Sequence, residues 1–251
     1  MDLKAQITEA AAALSKARSC LVLTGAGISL ESGIPTFRGP GGLWEGFRAE
    51  ELATPHAFAA NPARVWRWYR WRAEQYGDCL PNPGHEVIAK LESRFPNFLL
   101  ATQNVDGLHP RAGSEELVEL HGTITKMRCE ICGQLEPFPE PVDPQEDPIP
   151  MCGGCHGQMR PHILWFGEQY WPGVLERAMS AARDAEVVLV VGTSGQVWPP
   201  AMLALQAKRE GAFLIDVNPE ATEISLAADV HLPGPSGELL PRLWDQLVGL
   251  G

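Results

Sequence analysis

Four short apolar runs, Cys20–Thr24, Phe98–Thr102, Val187–Val191 and Ala212–Val217, each pass directly into a polar segment bearing glycine or asparagine. Stretches of helical spacing lie between them: Pro62–Tyr76, Gly84–Ser93, Gly173–Asp184, Pro200–Glu210 and Gly237–Leu250. Strands that are apolar throughout need cover on both faces, and alternation with helices supplies it. The pattern predicts an α/β fold with a doubly wound parallel sheet, Rossmann-like in kind. Ligands of such sheets gather beyond the carboxyl ends of the strands, so a site is expected in the polar segments that follow the runs. A chain of 251 residues can bury one substantial core and a smaller second lobe.

Two stretches interrupt the alternation. Pro35–Phe58 is rich in glycine, proline and aromatics and predicts a long ordered loop followed by a short helix. The second, about 126–160, carries Cys129-x-x-Cys132 and Cys152-x-x-Cys155 around a proline- and acid-rich stretch, Glu136–Pro150, that reads as an irregular exposed loop. Two Cys-x-x-Cys hooks nineteen residues apart match a tetrahedral four-cysteine zinc site, with Gly133, Gly153 and Gly154 easing the turns. Four thiolates would fill the zinc shell and leave no place for water, so the metal would hold structure. A pair of disulfides, or four unrelated thiols, is the competing reading. The expected division is a Rossmann-like domain over 1–33, 76–121 and 166–251, and a small zinc-binding lobe formed by insertions at 34–75 and 122–165.

Charge and composition narrow the classes of partner. A formal charge of −11 argues against nucleic acid, whose phosphates need a basic surface, and suits a lysine-rich protein. No stretch approaches eighteen consecutive apolar residues, so no membrane-spanning helix is expected. Asp2–Lys16 reads as an amphipathic helix and lacks the pattern of a signal peptide. Cys20 and Cys79 have no obvious mates, which fits a reducing, cytoplasmic setting. A monomer is the favoured state.

The segment Cys20–Thr24 leads into Gly25-Ala26-Gly27-Ile28-Ser29, small residues that would let backbone N–H groups approach a pyrophosphate. Alone it is equally an ordinary strand-to-helix turn. Further along come Gly33-Ile34-Pro35-Thr36-Phe37-Arg38-Gly39, then Thr102-Gln103-Asn104-Val105-Asp106-Gly107-Leu108-His109 at a strand end. Glu119-Leu120-His121-Gly122 stands just before the cysteine hooks, and Trp165-Phe166-Gly167-Glu168, Gly192-Thr193-Ser194 and Asp216-Val217-Asn218-Pro219 follow. In this order, and with a four-cysteine insertion, the chain resembles the sirtuin family of NAD-dependent protein lysine deacylases from about Leu21 to Leu243.

The resemblance implies one NAD as co-substrate, one structural Zn²⁺ and acyl-lysine proteins or peptides as substrates. It implies NAD contacts from Gly25, Ala26, Gly27, Ser29, Thr36, Phe37, Arg38 and Trp44 at the pyrophosphate and ribose. Gln103, Asn104, Val105 and Asp106 would lie at the nicotinamide end, and Gly192, Thr193, Ser194, Asn218 and Ser236 at the adenosine end. The acyl oxygen of a modified lysine would attack the ribose carbon as nicotinamide leaves. His121 would then serve as general base for a ribose hydroxyl, with Asn104 and Asp106 completing the catalytic set. Free lysine, nicotinamide and O-acyl-ADP-ribose would result. His85 reads instead as a cap or core contact, and His109, close to Asp106, as the next histidine to consider for a role.

The helix-like run Arg64–Arg72 is dense in tryptophan and arginine, and packs most simply with tryptophans inward and arginines in solvent. Tyr69 and Arg72, three apart, share one face. The Tyr-x-x-Arg pair is similar to that of the sirtuin branch removing acidic acyl groups, so Arg72 would clamp a succinyl or malonyl carboxylate with Tyr69 as a further donor. Thr36, and small Ala49 and Ala53 widening an acyl channel, agree with that branch, and acetyl-lysine removal can coexist. Ile163, Leu164, Phe166 and Gly167 would offer an edge to which an extended peptide adds as a strand.

Overall fold

A computed structural model describes residues 2–36, 49–139 and 149–250. Helix α1 (Leu3–Lys16) is opened by the Asp2 carboxylate, which accepts from the Ala5 N–H at 2.7 Å. Strand β1 (Ser19–Thr24) follows and runs into a short 3-10 helix, Ala26–Ser32. Helices α2 (Ala49–Leu52), α3 (Pro55–Ala60), α4 (Pro62–Gly77) and α5 (Pro83–Glu92) come next, then β2 (Asn97–Thr102), α6 (Leu108–Arg111) and β3 (Leu117–Glu119). The small lobe adds β4 (Gly122–Cys129), β5 (Leu135–Pro137) and β6 (Met159–Ile163). The chain closes with α7 (Val174–Asp184), β7 (Val187–Val191), α8 (Pro200–Arg209), β8 (Phe213–Val217), α9 (Glu223–Ala227), β9 (Val230–Leu232) and α10 (Ser236–Val248).

Six strands make one parallel sheet in the order β3-β2-β1-β7-β8-β9. All residues of β1 and β7 are buried, because helices cover both faces. On one face Ile7, Leu14, Ile88, Leu91, Leu240 and Leu243 of α1, α5 and α10 pack on Val22, Leu100 and Leu189. On the other, Ala178, Ala182, Leu203 and Ala207 of α7 and α8 meet Leu21, Leu23, Val188 and Val190. The strand order reverses between β1 and β7, and a cleft for a ligand opens at such a reversal.

A third core joins both insertions. Phe58, Val65, Trp66, Trp68 and Tyr69 from α3 and α4 pack with Ile124, Met127, Cys129, Cys152, Met159 and Trp165. The expected irregular loop Glu136–Pro150 is corrected at its start: β5-β4-β6 is an antiparallel sheet whose β5 includes Glu136 and Pro137. Residues 140–148 of that stretch lie outside the described residues. Helix α4 keeps the expected pattern at Trp66 and Trp68, which are buried, and at Arg64 and Arg67, which are exposed. Val65, Tyr69, Arg72 and Tyr76 share its buried face at helical spacing, so Arg72 turns inward while Trp71 lies outward.

The two glycine turns at the sheet reversal touch through backbone. Gly25 N–H donates to Val191 O at 3.1 Å and Gly27 N–H to Gly192 O at 2.8 Å. A Cβ on Gly27 would sit 2.7 Å from Gly192 Cα, and one on Gly192, whose φ is +61°, would sit 2.4 Å from Ile28 N. Those glycines serve this contact, a firmer reason for them than the phosphate approach their sequence suggests. Gly192→Ala is expected to destabilise the fold by about 2 kcal/mol or more in denaturant titrations, since only backbone could move to make room.

Candidate functional site

The loop after β2 is held from inside by polar contacts. Thr102 Oγ1 accepts from the Asn104 N–H at 3.0 Å and from Thr24 Oγ1 at 2.8 Å. Asn104 Nδ2 donates to Gly25 O (3.1 Å) and Ser29 Oγ (3.2 Å), which ties the loop to the turn after β1. Asp106 accepts from Ser29 Oγ at 2.8 Å and from the Leu108 N–H at 2.9 Å. Burial raises the Asp106 carboxyl above its usual range, and these two donors oppose the rise. Gln103 Nε2 donates to Thr193 Oγ1 at 3.0 Å, which joins this loop to the turn after β7.

His121, between β3 and β4, meets Gln103 O through Nδ1 at 3.1 Å. A carbonyl can only accept, so the proton is on Nδ1 and the lone pair of the ring is on Nε2. Burial lowers the His121 pKa, partly opposed by the Gln103 bond, so the ring is neutral near pH 7. Nε2 lies 3.3 Å from the Tyr170 hydroxyl, and burial pushes that phenol up to about 12, which keeps it a donor. Tyr170 was not among the residues expected from sequence; its only signal is its place two residues after Trp165-Phe166-Gly167-Glu168. Its neighbour Trp171 is stacked on His162 with ring centroids 4.0 Å apart and carries the Arg128 guanidinium on its ring at 5.3 Å.

Ser29, Arg72, Tyr76, Asn104, Val105 and Asp106 line a small cavity between the 3-10 helix and the loop after β2. Arg72 is 2 % exposed and lies over the faces of Trp68 (4.7 Å) and Tyr76 (5.2 Å). Its Nε and Nη2 donate to the Tyr76 hydroxyl at 3.2 and 2.9 Å. The phenol bonded to Arg72 is therefore Tyr76, one turn further along α4, and not Tyr69. Tyr69 is fully buried and accepts from Trp165 Nε1 at 2.9 Å; burial pushes its pKa up to about 12.

Around the expected peptide edge several donors are already used. The Leu164 N–H donates to His121 O at 2.9 Å, the Phe166 N–H to Ala53 O at 3.0 Å and the Glu168 N–H to Trp165 O at 3.1 Å. Ile163 is buried opposite Gly122, whereas Phe166 is 51 % exposed and Gly167 takes φ +86°. Arg160 grips Glu168 with both terminal nitrogens and stacks on Trp165 at 3.4 Å, which fixes the turn.

At the other end of the cleft Asn218 Nδ2 donates to Thr193 O at 2.8 Å, and Ser194 is exposed. Ser236 is turned inward: its hydroxyl donates to Glu31 at 3.3 Å beside the Gly237 N–H, so its side chain clasps the 3-10 helix to α10. Ala26 borders the small cavity, and Thr36 is half-buried. Phe37, Arg38 and Trp44 lie outside the described residues, and of Ala49 only its place in α2 is described.

The Sγ atoms of Cys129, Cys132, Cys152 and Cys155 all lie within 4.8 Å of one another, with 129–155 at 3.5 Å and 132–152 at 3.7 Å. A disulfide needs roughly 2.0 Å, so none is formed. Four sulfurs at ~2.3 Å from one ion stand roughly 3.8 Å apart, and the quartet fits Zn²⁺. N–H groups of Cys132 and Ile131 point at Cys129 Sγ and lower its thiol to about 6, toward the ligating thiolate. Cys20, by contrast, is buried in β1 and burial pushes it up to about 12, an inert thiol.

Two outcomes test this geometry. Stripping the metal with a chelator is expected to lower hydrogen-exchange protection across β4–β6 by more than about tenfold, while β1 and β7 keep theirs. Tyr170→Phe removes a donor from the neutral imidazole, so the His121 pKa, read by NMR in the unliganded protein, rises toward 6.5. Activity that needs the neutral ring would then fall at a higher pH as acid is added.

Comparisons with known proteins converge on one answer. Residues 25–199 match the Sir2 family. The chain is 50 % identical over 234 residues to NAD-dependent protein deacylase 2 of Pyrobaculum aerophilum, covering 93 % of each chain. It is 50 % identical over 227 residues to NAD-dependent protein deacylase of Aquifex aeolicus, covering 90 % of this chain and 94 % of the relative. Among solved structures, a Sir2 homologue–NAD complex matches with a TM-score of 0.88 at 42 % identity, over 100 % of this chain and 95 % of the other. Sir2Af2 bound to a myristoylated histone peptide matches with a TM-score of 0.76 at 31 % identity, over 98 % of both. With the family model matching 25–199 and relatives half identical over 90 % or more of its length, the chain belongs to the Sir2 family.

Proposed function

We propose that this chain is an NAD-dependent protein lysine deacylase that favours acidic acyl groups such as succinyl and malonyl. The relatives' shared activity supports the reaction class. The observation that carries the reading within the chain is His121, its Nδ1 tied to Gln103 O beside Asn104 and Asp106, where burial favours the neutral ring.

NAD lies along the strand ends as co-substrate. Gly25, Ala26, Gly27 and Ser29, with Thr36, Phe37, Arg38 and Trp44, take its pyrophosphate and inner ribose. Gly192, Thr193, Ser194 and Asn218 take the adenosine half; Ser236 acts there through the clasp on Glu31. Gln103, Asn104, Val105 and Asp106 hold the nicotinamide end in a water-poor cavity, and the raised carboxyl of Asp106 suits it to bond an amide. His121 Nε2 takes the proton of the ribose hydroxyl that attacks the acyl carbon. Departure of the lysine amine and addition of one water, which restores the acyl carbonyl, then give free lysine, nicotinamide and O-acyl-ADP-ribose. An extended peptide lies along Ile163, Leu164, Phe166 and Gly167 and uses carbonyls and the exposed Phe166 ring, since several N–H groups there are occupied.

The acyl preference rests on Arg72. A guanidinium turned into the cavity wall amid Trp68, Tyr69 and Tyr76 can meet a carboxylate with two prongs at low dielectric, with phenols to either side. Nicotinamide release and peptide mass, followed on succinyl-, malonyl- and acetyl-lysine peptides, test both statements. Acyl loss without NAD, or none with it, overturns the reaction class. Arg72→Met is expected to depress desuccinylation roughly 100-fold or more (~3 kcal/mol) and deacetylation far less. Equal losses on both substrates would make Arg72 a structural residue.

A further inference from the structure

Behind the loop after β2 lie two buried histidines to which the reaction above gives no part. His85 is 0 % and His109 1 % exposed, and their ring centroids are 4.8 Å apart at 57°. His85 Nε2 and His109 Nδ1 are both buried without a hydrogen-bond partner. Orphaned nitrogens in so dry a place are costly unless they answer each other.

The remaining contacts of each ring decide where its proton sits. The Asn82 N–H donates to His85 Nδ1 at 3.3 Å; an amide cannot accept, so the neutral ring carries its proton on Nε2. His109 Nε2 lies 3.0 Å from Thr24 Oγ1, whose own proton goes to Thr102 Oγ1 at 2.8 Å. Thr24 therefore accepts from His109 Nε2–H, and the lone pair of His109 is on Nδ1. The two unpartnered atoms are then one donor and one acceptor. Thr102 in turn accepts the Asn104 N–H at 3.0 Å, and Thr24 O accepts the Gln103 N–H at 3.0 Å.

We propose that His85 and His109 form a proton-ordered pair, His85 Nε2–H directed to His109 Nδ1, which positions Gln103 and Asn104 through Thr24 and Thr102. Each hydrogen bond on either side of the pair has a single direction: Asn82 N–H to His85, His109 to Thr24 and Thr24 to Thr102; the His85-to-His109 direction is the proposed one. The pair fixes which way the hydroxyls point, and so keeps the acceptor on Thr102 turned to the Asn104 amide. His85 and His109 are positioning residues; neither touches a reactant. Burial lowers both pKa values, His85 to about 4, which agrees with rings that stay neutral.

The inference rests on the deacylase reading only for its kinetic arm. Long-range ¹H–¹⁵N spectra of histidine-labelled wild-type protein at pH 7 are expected to show both rings protonated on Nε2 alone. A proton on Nδ1 of either ring, or a charged ring, overturns the pairing whatever the enzyme does. In kinetics, His109→Leu should lower kcat for acyl removal about tenfold or more with the peptide KM little changed. His109→Gln, whose amide can donate to Thr24 and accept from His85, should stay within about threefold of wild type. If Gln falls as far as Leu, or if neither changes kcat, the positioning role is overturned. If wild-type protein removes no acyl group, the deacylase reading fails while the spectra still decide the proton order.

Discussion

Backbone meets backbone where the turns after β1 and β7 cross, and the site is built on that contact. Gly25 and Gly27 reach Val191 and Gly192 with N–H···O bonds of 3.1 and 2.8 Å and leave no room for a side chain between. A parallel sheet alone would leave a cleft at its reversal. The glycine contact closes the floor of that cleft, and brings Ser29 within reach of Asn104 and Asp106 and Thr193 within reach of Gln103.

On that floor the chemistry is set by burial and by which partner can only donate or only accept. A carbonyl fixes the proton of His121 on Nδ1; an amide fixes the proton of His85 on Nε2. Low dielectric then acts on each group in its own direction, raising the Asp106 carboxyl and lowering His121. The outcome is an imidazole held below its ordinary pKa and a carboxyl held above its own, both tied to the loop after β2.

The small lobe meets this cleft through one core shared by its two insertions. Trp66 of α4 donates from Nε1 to Met159 O at 3.1 Å, and Trp165 joins Phe58 and Tyr69. The cysteine quartet lies at the far end of the same core, with Cys129 and Cys152 inside it. A metal there would brace β4 and β6, and β4 begins next to His121. Its effect on His121 would pass mechanically along that strand and need no open metal position.

Periodicity alone was enough for the main strands and helices, because apolar runs buried on both faces admit one environment. Starts at Ser19 instead of Cys20, or Phe213 instead of Ala212, differ by a residue where helices and strands fray. The cysteine spacing likewise carried its own geometry, since two hooks can close on one ion only as a quartet. Strands β3 and β9, three residues each, and the antiparallel strands β4–β6 were not legible, being too short or too polar to show a period. Nor could a linear pattern send Ser236 to Glu31 or set Tyr170 against His121. Local sequence determines which residues favour strand, helix or turn, because those preferences act over a few bonds. Which polar atoms face one another was decided only when elements eighteen to two hundred residues apart packed, since hydrogen bonds answer to distance in space.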